Sequence, residues 1–339
     1  MTKKICISGY YGFDNFGDET ILDVLVNNIK NFEINTQITV FSSSPEKTSK
    51  KLNVNSANSF NMKDVISNII QSDCLISGGG SLLQDVTSTK SLIYYLGILA
   101  LAQLFKKKTI IFAQGIGPIK NKKLEKLTAF ILKRASYISV RDDNSLALLK
   151  NWNINATKCS DPVWNLTIPS VNKANKLGVQ IRACDFANEE FLNKFANCIT
   201  KEYSDKEIVI LSLQNKLDFD ICKKLEEKIK QINSEIKISV IENTSNEKVI
   251  EDISSLDELI AMRFHACLIA IKAGVKVLPI SYDIKVEKLA EEFNLTTITS
   301  KNIDNLDELI NNFKSQQIIY DKNTINSHKF DFKALESVI

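Results

Sequence analysis

His265 is one of two histidines in the 339-residue chain, and it stands in the string Met262-Arg263-Phe264-His265-Ala266. Imidazole titrates nearest neutrality, so a placed histidine suits proton transfer. Three cations lie in strings of similar character: Arg263 itself, Arg141 in SVRDDNS (139–145) and Lys285 in SYDIKVEKL (281–289). A guanidinium captures a carboxylate or phosphate bidentately. Each residue also has an ordinary reading: a packed, hydrogen-bonded histidine, an Arg141 ion pair with Asp142 or Asp143, and a solvated lysine.

Three glycine-bearing strings add backbone to these side chains. GYYGFDNFGDE (9–19) has Gly9, Gly12 and Gly17, with Tyr10, Tyr11, Phe13 and Phe16 as walls for a pocket. Its glycine spacing departs from G-x-G-x-x-G, which argues against a dinucleotide fingerprint. Asp14 and Asn15 are candidates to touch a substrate and are also common turn residues, while Asp18 is expected to cap the following helix. In SGGGSLLQD (77–85), Gly78, Gly79 and Gly80 follow an apolar run and suit a nest of N–H groups for an anion. AQGIGP (113–118), with Gln114, repeats the arrangement. These loops and cations together predict a phosphate-bearing anion as ligand.

The elements that must position them alternate. Strands are expected at 4–8, 38–41, 74–77, 109–113 and 137–140, with helices at 20–32, 62–71, 91–105, 122–134 and 143–150. The polar stretch TIPSVNKANK (167–176) reads as a break, after which the pattern restarts with strands at 177–181, 208–212, 236–241, 259–262 and 275–280. Short apolar strands alternating with helices of ~10 to 15 residues indicate parallel, doubly wound sheets. The expected fold is α/β, two tandem Rossmann-like domains facing across a cleft: 1–168, a linker at 169–176, 177–318, and a tail at 319–339 packing on the body. Ala266, Ile269, Ala270 and Ala273 recur at helical spacing up to Gly274, so His265 falls at a strand-to-helix corner, where open sheets bind ligands.

Composition excludes several classes. The 43 basic and 40 acidic residues give a net charge of +3 and read as interspersed, unlike a nucleic-acid binder. No run of ~18 apolar residues and no secretory leader is visible, so a soluble cytoplasmic protein is expected. Peripheral membrane contact is left to basic clusters such as Lys106-Lys107-Lys108. Seven cysteines without a C-x-x-C pair argue against zinc and disulfide frameworks, and Cys6 and Cys74 read as small buried residues.

Taken in order, GYYGFDNFGDETIL, GGGSLLQD, YYLG, QGIGP, SVRD, DPV (161–163), MRFHA and YDIKV resemble the polysaccharide pyruvyltransferase family, especially its CsaB-type members. The resemblance implies a GT-B-like fold and transfer of the pyruvyl group of phosphoenolpyruvate onto a sugar as a cyclic ketal, releasing phosphate. It implies His265 as general acid, Asp14 as base, and Arg141, Arg263 and Lys285 as substrate contacts; Gly78, Gly79, Gly80, Asn15 and Gln114 join these from the loop chemistry. Two departures stand out: Asp14 occupies a position that is commonly Gly in the family, and Ile284 replaces the proline of YDPKV. The CsaB resemblance further implies a lipid-linked, N-acetylmannosamine-containing glycan acceptor. Neither a cofactor nor a metal is expected. Two competing readings remain: a GT-B glycosyltransferase using a nucleotide sugar, with Glu287 or Glu291 toward the ribose, and a noncatalytic anion- or sugar-binding protein.

Overall fold

The computed structural model describes residues 2–339. The chain forms two compact units, one comprising residues up to Leu166 together with His328–Ile339, the other Thr167–Ser327. The closing segment expected to pack on the body thus belongs to the first unit from His328 onward.

In the first unit the elements run β1 (Lys3–Ser8), α1 (Phe16–Lys30), β2 (Thr36–Ser42), α2 (Pro45–Leu52), β3 (Asn55–Asn58), α3 (Met62–Gln71), β4 (Cys74–Ser77) and β5 (Gly80–Leu83). They continue with α4 (Thr89–Leu104), β6 (Lys108–Ile116), α5 (Lys122–Leu132), β7 (Tyr137–Val140), α6 (Asp143–Asn151) and β8 (Thr157–Lys158). The parallel sheet has the order β3-β2-β1-β4-β6-β7-β8, with β5 pairing β6 off that path. Its central strands are continuous apolar runs because helices cover both faces; β6 is buried from Thr109 to Ile116. Helix α1 starts at Asn15, whose side chain accepts from the Gly17 N–H, and acidic Asp18 and Glu19 lie in its first turn.

The second unit runs β9 (Lys176–Gln180), α7 (Glu189–Glu202), β10 (Glu207–Ser212), α8 (Asn215–Ile232), β11 (Ile238–Glu242), α9 (Asn246–Ser254), β12 (Glu258–Ala261) and α10 (Phe264–Lys272). It ends with β13 (Lys276–Pro279), α11 (Ile284–Glu292), α12 (Leu306–Ser315) and α13 (Lys322–Ser327). Its parallel sheet has the order β11-β10-β9-β12-β13. The core joins Val179, Ile210, Ile260 and Leu278 of the strands to Phe191, Phe195, Leu225 and Phe313 of the helices. A last helix, α14 (Phe332–Val338), belongs to the first unit, where Phe330 lies 4.8 Å from the Phe112 ring and His328 stacks on Trp164.

Three local expectations are corrected. Gly80 begins a strand rather than continuing a loop, and the 113–116 segment is the end of β6, kinked where Ala113 takes φ +47° and the register with β7 shifts. The sequence pattern lacked α2 and β3; β3 reads Asn-Ser-Ala-Asn, which has no apolar alternation to mark it as a strand. Five of the seven cysteines are buried and none is bonded to another.

Candidate functional site

Each unit gathers its candidate residues at the carboxyl edge of its own sheet. In open α/β sheets ligands bind where the strand order reverses, because the loops there part in opposite directions. That point lies between β1 and β4 in the first unit, and between β9 and β12 in the second.

In the second unit, β12 ends at Ala261 and α10 starts at Phe264, so His265 lies in the first helical turn, part-buried, with its ring 5.0 Å from Phe264 in an edge-on arrangement. Arg263 is the N-cap residue. Its backbone N–H donates to Gln180 Oε1 (2.7 Å), its Nε and Nη2 donate to the two carboxylate oxygens of Asp218 (2.7 Å each), and Nη2 also reaches Gln214 Oε1 (3.2 Å). Asp218 is fully buried and Arg263 is 9% exposed. The guanidinium expected to face a substrate is thus held by a bidentate, charge-assisted pair inside the unit. That pair ties α8 to the corner bearing His265.

Lys285 occupies the adjacent corner, in the first turn of α11 after β13. Asp283 caps that helix by accepting from the Lys285 N–H (3.1 Å), and its other oxygen lies 4.0 Å from Lys285 Nζ. Arg182, just past β9, was missed by sequence reasoning. Its backbone N–H approaches Met262 Sδ (3.3 Å), and its Nη1 donates to the Tyr282 hydroxyl (3.1 Å). Its Nε is buried without a partner among the described residues. Burial works against the Arg182 charge, but the Tyr282 oxygen and Asp218 outweigh it, and its pKa is raised. The available signal was position, since Arg182 follows β9 as Arg263 follows β12. Its partner Tyr282 lines a pocket of about 490 Å³ together with Ser281, Asp283, Glu287, Thr299 and Ser300 among others.

In the first unit, Arg141 follows β7 and donates to Asp161 Oδ2 (2.5 Å), with side chains 8% and 3% exposed. Its ion-pair partner is therefore the aspartate of the DPV string, not Asp142 or Asp143. Asp142 caps α6 through Ser145, and Asp143 pairs with Lys158 (2.6 Å). Ser81 Oγ lies 3.5 Å from Arg141 Nη2.

The SGGG glycines leave no room for a Cβ within their own unit. A Cβ on Gly78 would fall 1.8 Å from the Tyr11 hydroxyl, one on Gly79 2.6 Å from Ile21 Cγ2, and one on Gly80, where φ is +99°, 2.6 Å from Asp18 Oδ1. The Gly78 N–H is taken by Ser8 O (2.7 Å). Gln114, fully buried, clamps the same turn, its Nε2 donating to Ser77 Oγ and Gly78 O at 2.7 Å each. Its Oε1 has no partner among the described residues.

In the first loop, Asn15 is the helix cap and Asp18 is not. Asp14 adopts φ +57° and its carboxylate meets Lys47 Nζ at 2.6 Å. This left-handed backbone is why glycine suits the position. Tyr11 and Phe16 are buried in the core, leaving Tyr10 and Phe13 as a stacked pair, ring centroids 4.2 Å apart, with Phe60 edge-on at 6.3 Å. Glu19, also unremarked in the sequence, accepts from the Gly12 N–H (2.7 Å); burial pushes its carboxyl up to about 7.

Among the described residues no group of three or more histidine, cysteine, aspartate or glutamate side chains could hold a metal ion. Among the described residues no helix is long and apolar enough to cross a membrane.

Two parallel sheets of Rossmann type, with the candidate residues at their carboxyl edges, define a GT-B-like α/β fold. UDP-GlcNAc 2-epimerase from Methanocaldococcus jannaschii shares the fold with a TM-score of 0.69 at 13% identity, over 100% of this chain and 99% of that one. Anabaena Alr3699/HepE, solved in complex with UDP-glucose, gives 0.63 at 11% identity, over 98% and 97%. An alpha-glucosyltransferase solved with UDP and a 13-mer DNA gives 0.58 at 13% identity, over 100% and 99%. No curated protein matches the sequence. The polysaccharide pyruvyl transferase family model matches residues 15–284, and the chain belongs to that family, a family of transferases.

Proposed function

We propose that this chain transfers the pyruvyl group of phosphoenolpyruvate onto two hydroxyls of one sugar in a cell-surface or cell-wall glycan precursor. The observation that carries the reading is the family match over residues 15–284, a span that includes His265, Arg141 and Arg263, begins one residue after Asp14 and stops one residue short of Lys285. A proton is added to the methylene carbon, one hydroxyl attacks the central carbon, phosphate leaves, and the second hydroxyl closes the ketal. Of the two hydroxyl protons, one ends on the new methyl group and the other on phosphate.

His265 delivers the carbon-bound proton in this reading. Lys285 and Arg182, on the two corners flanking it, meet the phosphate and carboxylate, and Arg263 fixes the His265 corner through Asp218. Arg141 is assigned to the donor anion and Asp14 to a sugar hydroxyl, by resemblance to the family. The hydroxyls and carboxylates of Ser281, Asp283, Glu287 and Thr299 suit a sugar better than a trianion. CsaB-type relatives suggest a lipid-linked acceptor.

The test is phosphate release from phosphoenolpyruvate with a panel of lipid-linked and aryl-linked sugars, with the pyruvyl ketal identified by mass. Replacing His265→Ala is expected to lower kcat by about 10²- to 10⁴-fold, the usual span of general acid-base catalysis, without shifting the unfolding midpoint. Near-normal turnover would remove His265 from the mechanism. Stabilisation by a nucleotide sugar with none by phosphoenolpyruvate would favour the glycosyltransferase reading instead.

A further inference from the structure

One segment departs from the otherwise interspersed pattern of charge. Residues 89–134 carry ten basic residues against one acid, Glu125, in a chain whose net charge is +3, so the remainder is net acidic. The lone acid is paired with Lys122 (2.8 Å). These residues include α4 and α5, which pack together; at their ends Gln103 Nε2 donates to Ile131 O (2.9 Å).

Both helices expose apolar stripes. On α4 the positions Ile93, Gly97, Ala100 and Leu104 share one face by helical spacing, and all are exposed, Ile93 at 52% and Leu104 at 74%. On α5 the face is Lys123, Leu127, Phe130 and Arg134, with Leu127 43% and Phe130 55% exposed. Phe105 extends the apolar surface, and a Cβ on Gly97 would touch nothing within 4 Å. Cations end both stripes: exposed Lys90 precedes Ile93, Lys106 and Lys108 follow Leu104, and Lys133 and Arg134 follow Phe130. The Arg134 guanidinium lies 3.6 Å over the Phe130 ring, joining the two kinds of surface.

We propose that the α4–α5 face docks on an anionic phospholipid surface, its leucine, isoleucine and phenylalanine side chains entering the headgroup boundary and its lysines and arginine meeting lipid phosphates. The combination of an apolar stripe with a basic border is what interfacial helices use, since neither attraction alone anchors well. Charge complementarity selects this occupant. A two-fold contact with a second copy would set one cationic patch against another, and nucleic acid would leave the aliphatic stripe without a partner. The inference is independent of the pyruvyl-transfer reading.

The full chain is mixed with vesicles of pure phosphatidylcholine or with about 30% phosphatidylglycerol, and the bound fraction is read by co-sedimentation at ~0.1 M and ~0.5 M salt. Binding to the anionic vesicles is expected to be at least about tenfold stronger and to weaken at the higher salt. Leu104→Glu/Phe130→Glu and, separately, Lys106→Glu/Lys133→Glu should each lower it about tenfold, whereas Leu217→Glu, at an exposed leucine of α8, should leave it unchanged. Equal binding to both vesicle types, or full binding by the Leu104→Glu/Phe130→Glu protein, overturns the proposal. So does lipid-free self-association, seen by light scattering, that the same substitutions abolish.

Discussion

The Arg263–Asp218 pair offers the sharpest test of how the His265 corner is held. Asp218→Asn is nearly isosteric, so it opens no cavity, but it leaves a guanidinium that is 9% exposed without its counter-charge. Breaking a buried pair from one side costs about 3–5 kcal/mol. For a unit of this size each kcal/mol lowers Tm by roughly 2–4 °C, so the second unit should melt about 6–20 °C lower. Both tryptophans, Trp152 and Trp164, belong to the first unit. Tryptophan emission therefore follows that unit, while far-UV circular dichroism follows both. The expected outcome is an early transition in the dichroism that tryptophan emission does not share. Asp218→Leu/Arg263→Met, which removes both charges, should recover most of the loss while turnover stays low, because the α10 start has lost its tether. An Asp218→Asn protein within about 1 kcal/mol of the parent would refute the reasoning.

Other predictions concern the first unit and the flanking cation. Glu19 has a folded pKa of about 7, above its ordinary value, so between the two the folded state holds more protons and stability falls as pH rises. Glu19→Gln keeps an acceptor for Gly12 and should flatten that decline, with a gain at pH 8 of at most about 3 kcal/mol, measured by urea unfolding at pH 5 and pH 8. Gly78→Ala should cost about 1–3 kcal/mol by overpacking against the Tyr11 hydroxyl; since that hydroxyl is buried with no partner among the described residues, Tyr11→Phe alone should be neutral or stabilising and should partly rescue the double variant. Arg182→Met is expected to raise KM for phosphoenolpyruvate about tenfold or more with the melting profile unchanged, and an unaltered KM would exclude it from anion binding.

The doubly wound fold was legible because its strands are buried on both faces and so read as unbroken apolar runs. Strand β4 and helix α3 fall where the pattern places them. What failed to show were elements whose identity comes from partners rather than from their own residues. Strand β3 is polar because it lies at the edge, and β5 is recognisable only through its pairing with β6. The same division holds at the candidate sites. That Arg141 and Arg263 follow strands could be read from periodicity. That Asp161 and Asp218, which are 20 and 45 positions away, hold their guanidinium groups depends on which elements become neighbours. Three consecutive glycines read as room for a ligand, and each is also closely approached by a side chain of the same unit, Tyr11, Ile21 or Asp18. A string cannot distinguish these cases, since both demand the absence of a Cβ.

The closing segment, His328–Ile339, carries Phe330, Leu335 and Ile339, all at most 5% exposed, against a unit whose other residues end at Leu166. During synthesis, then, the first unit has every strand of its sheet by Lys158 but remains open on the side of Phe112 and Trp164 until more than 160 further residues have emerged. The later-made unit, being contiguous, is free to fold before the earlier one is finished. An expression fragment stopped at residue 166 would expose those aromatics and aggregate, whereas a fragment joining residue 166 to residue 328 through a short linker would restore their cover.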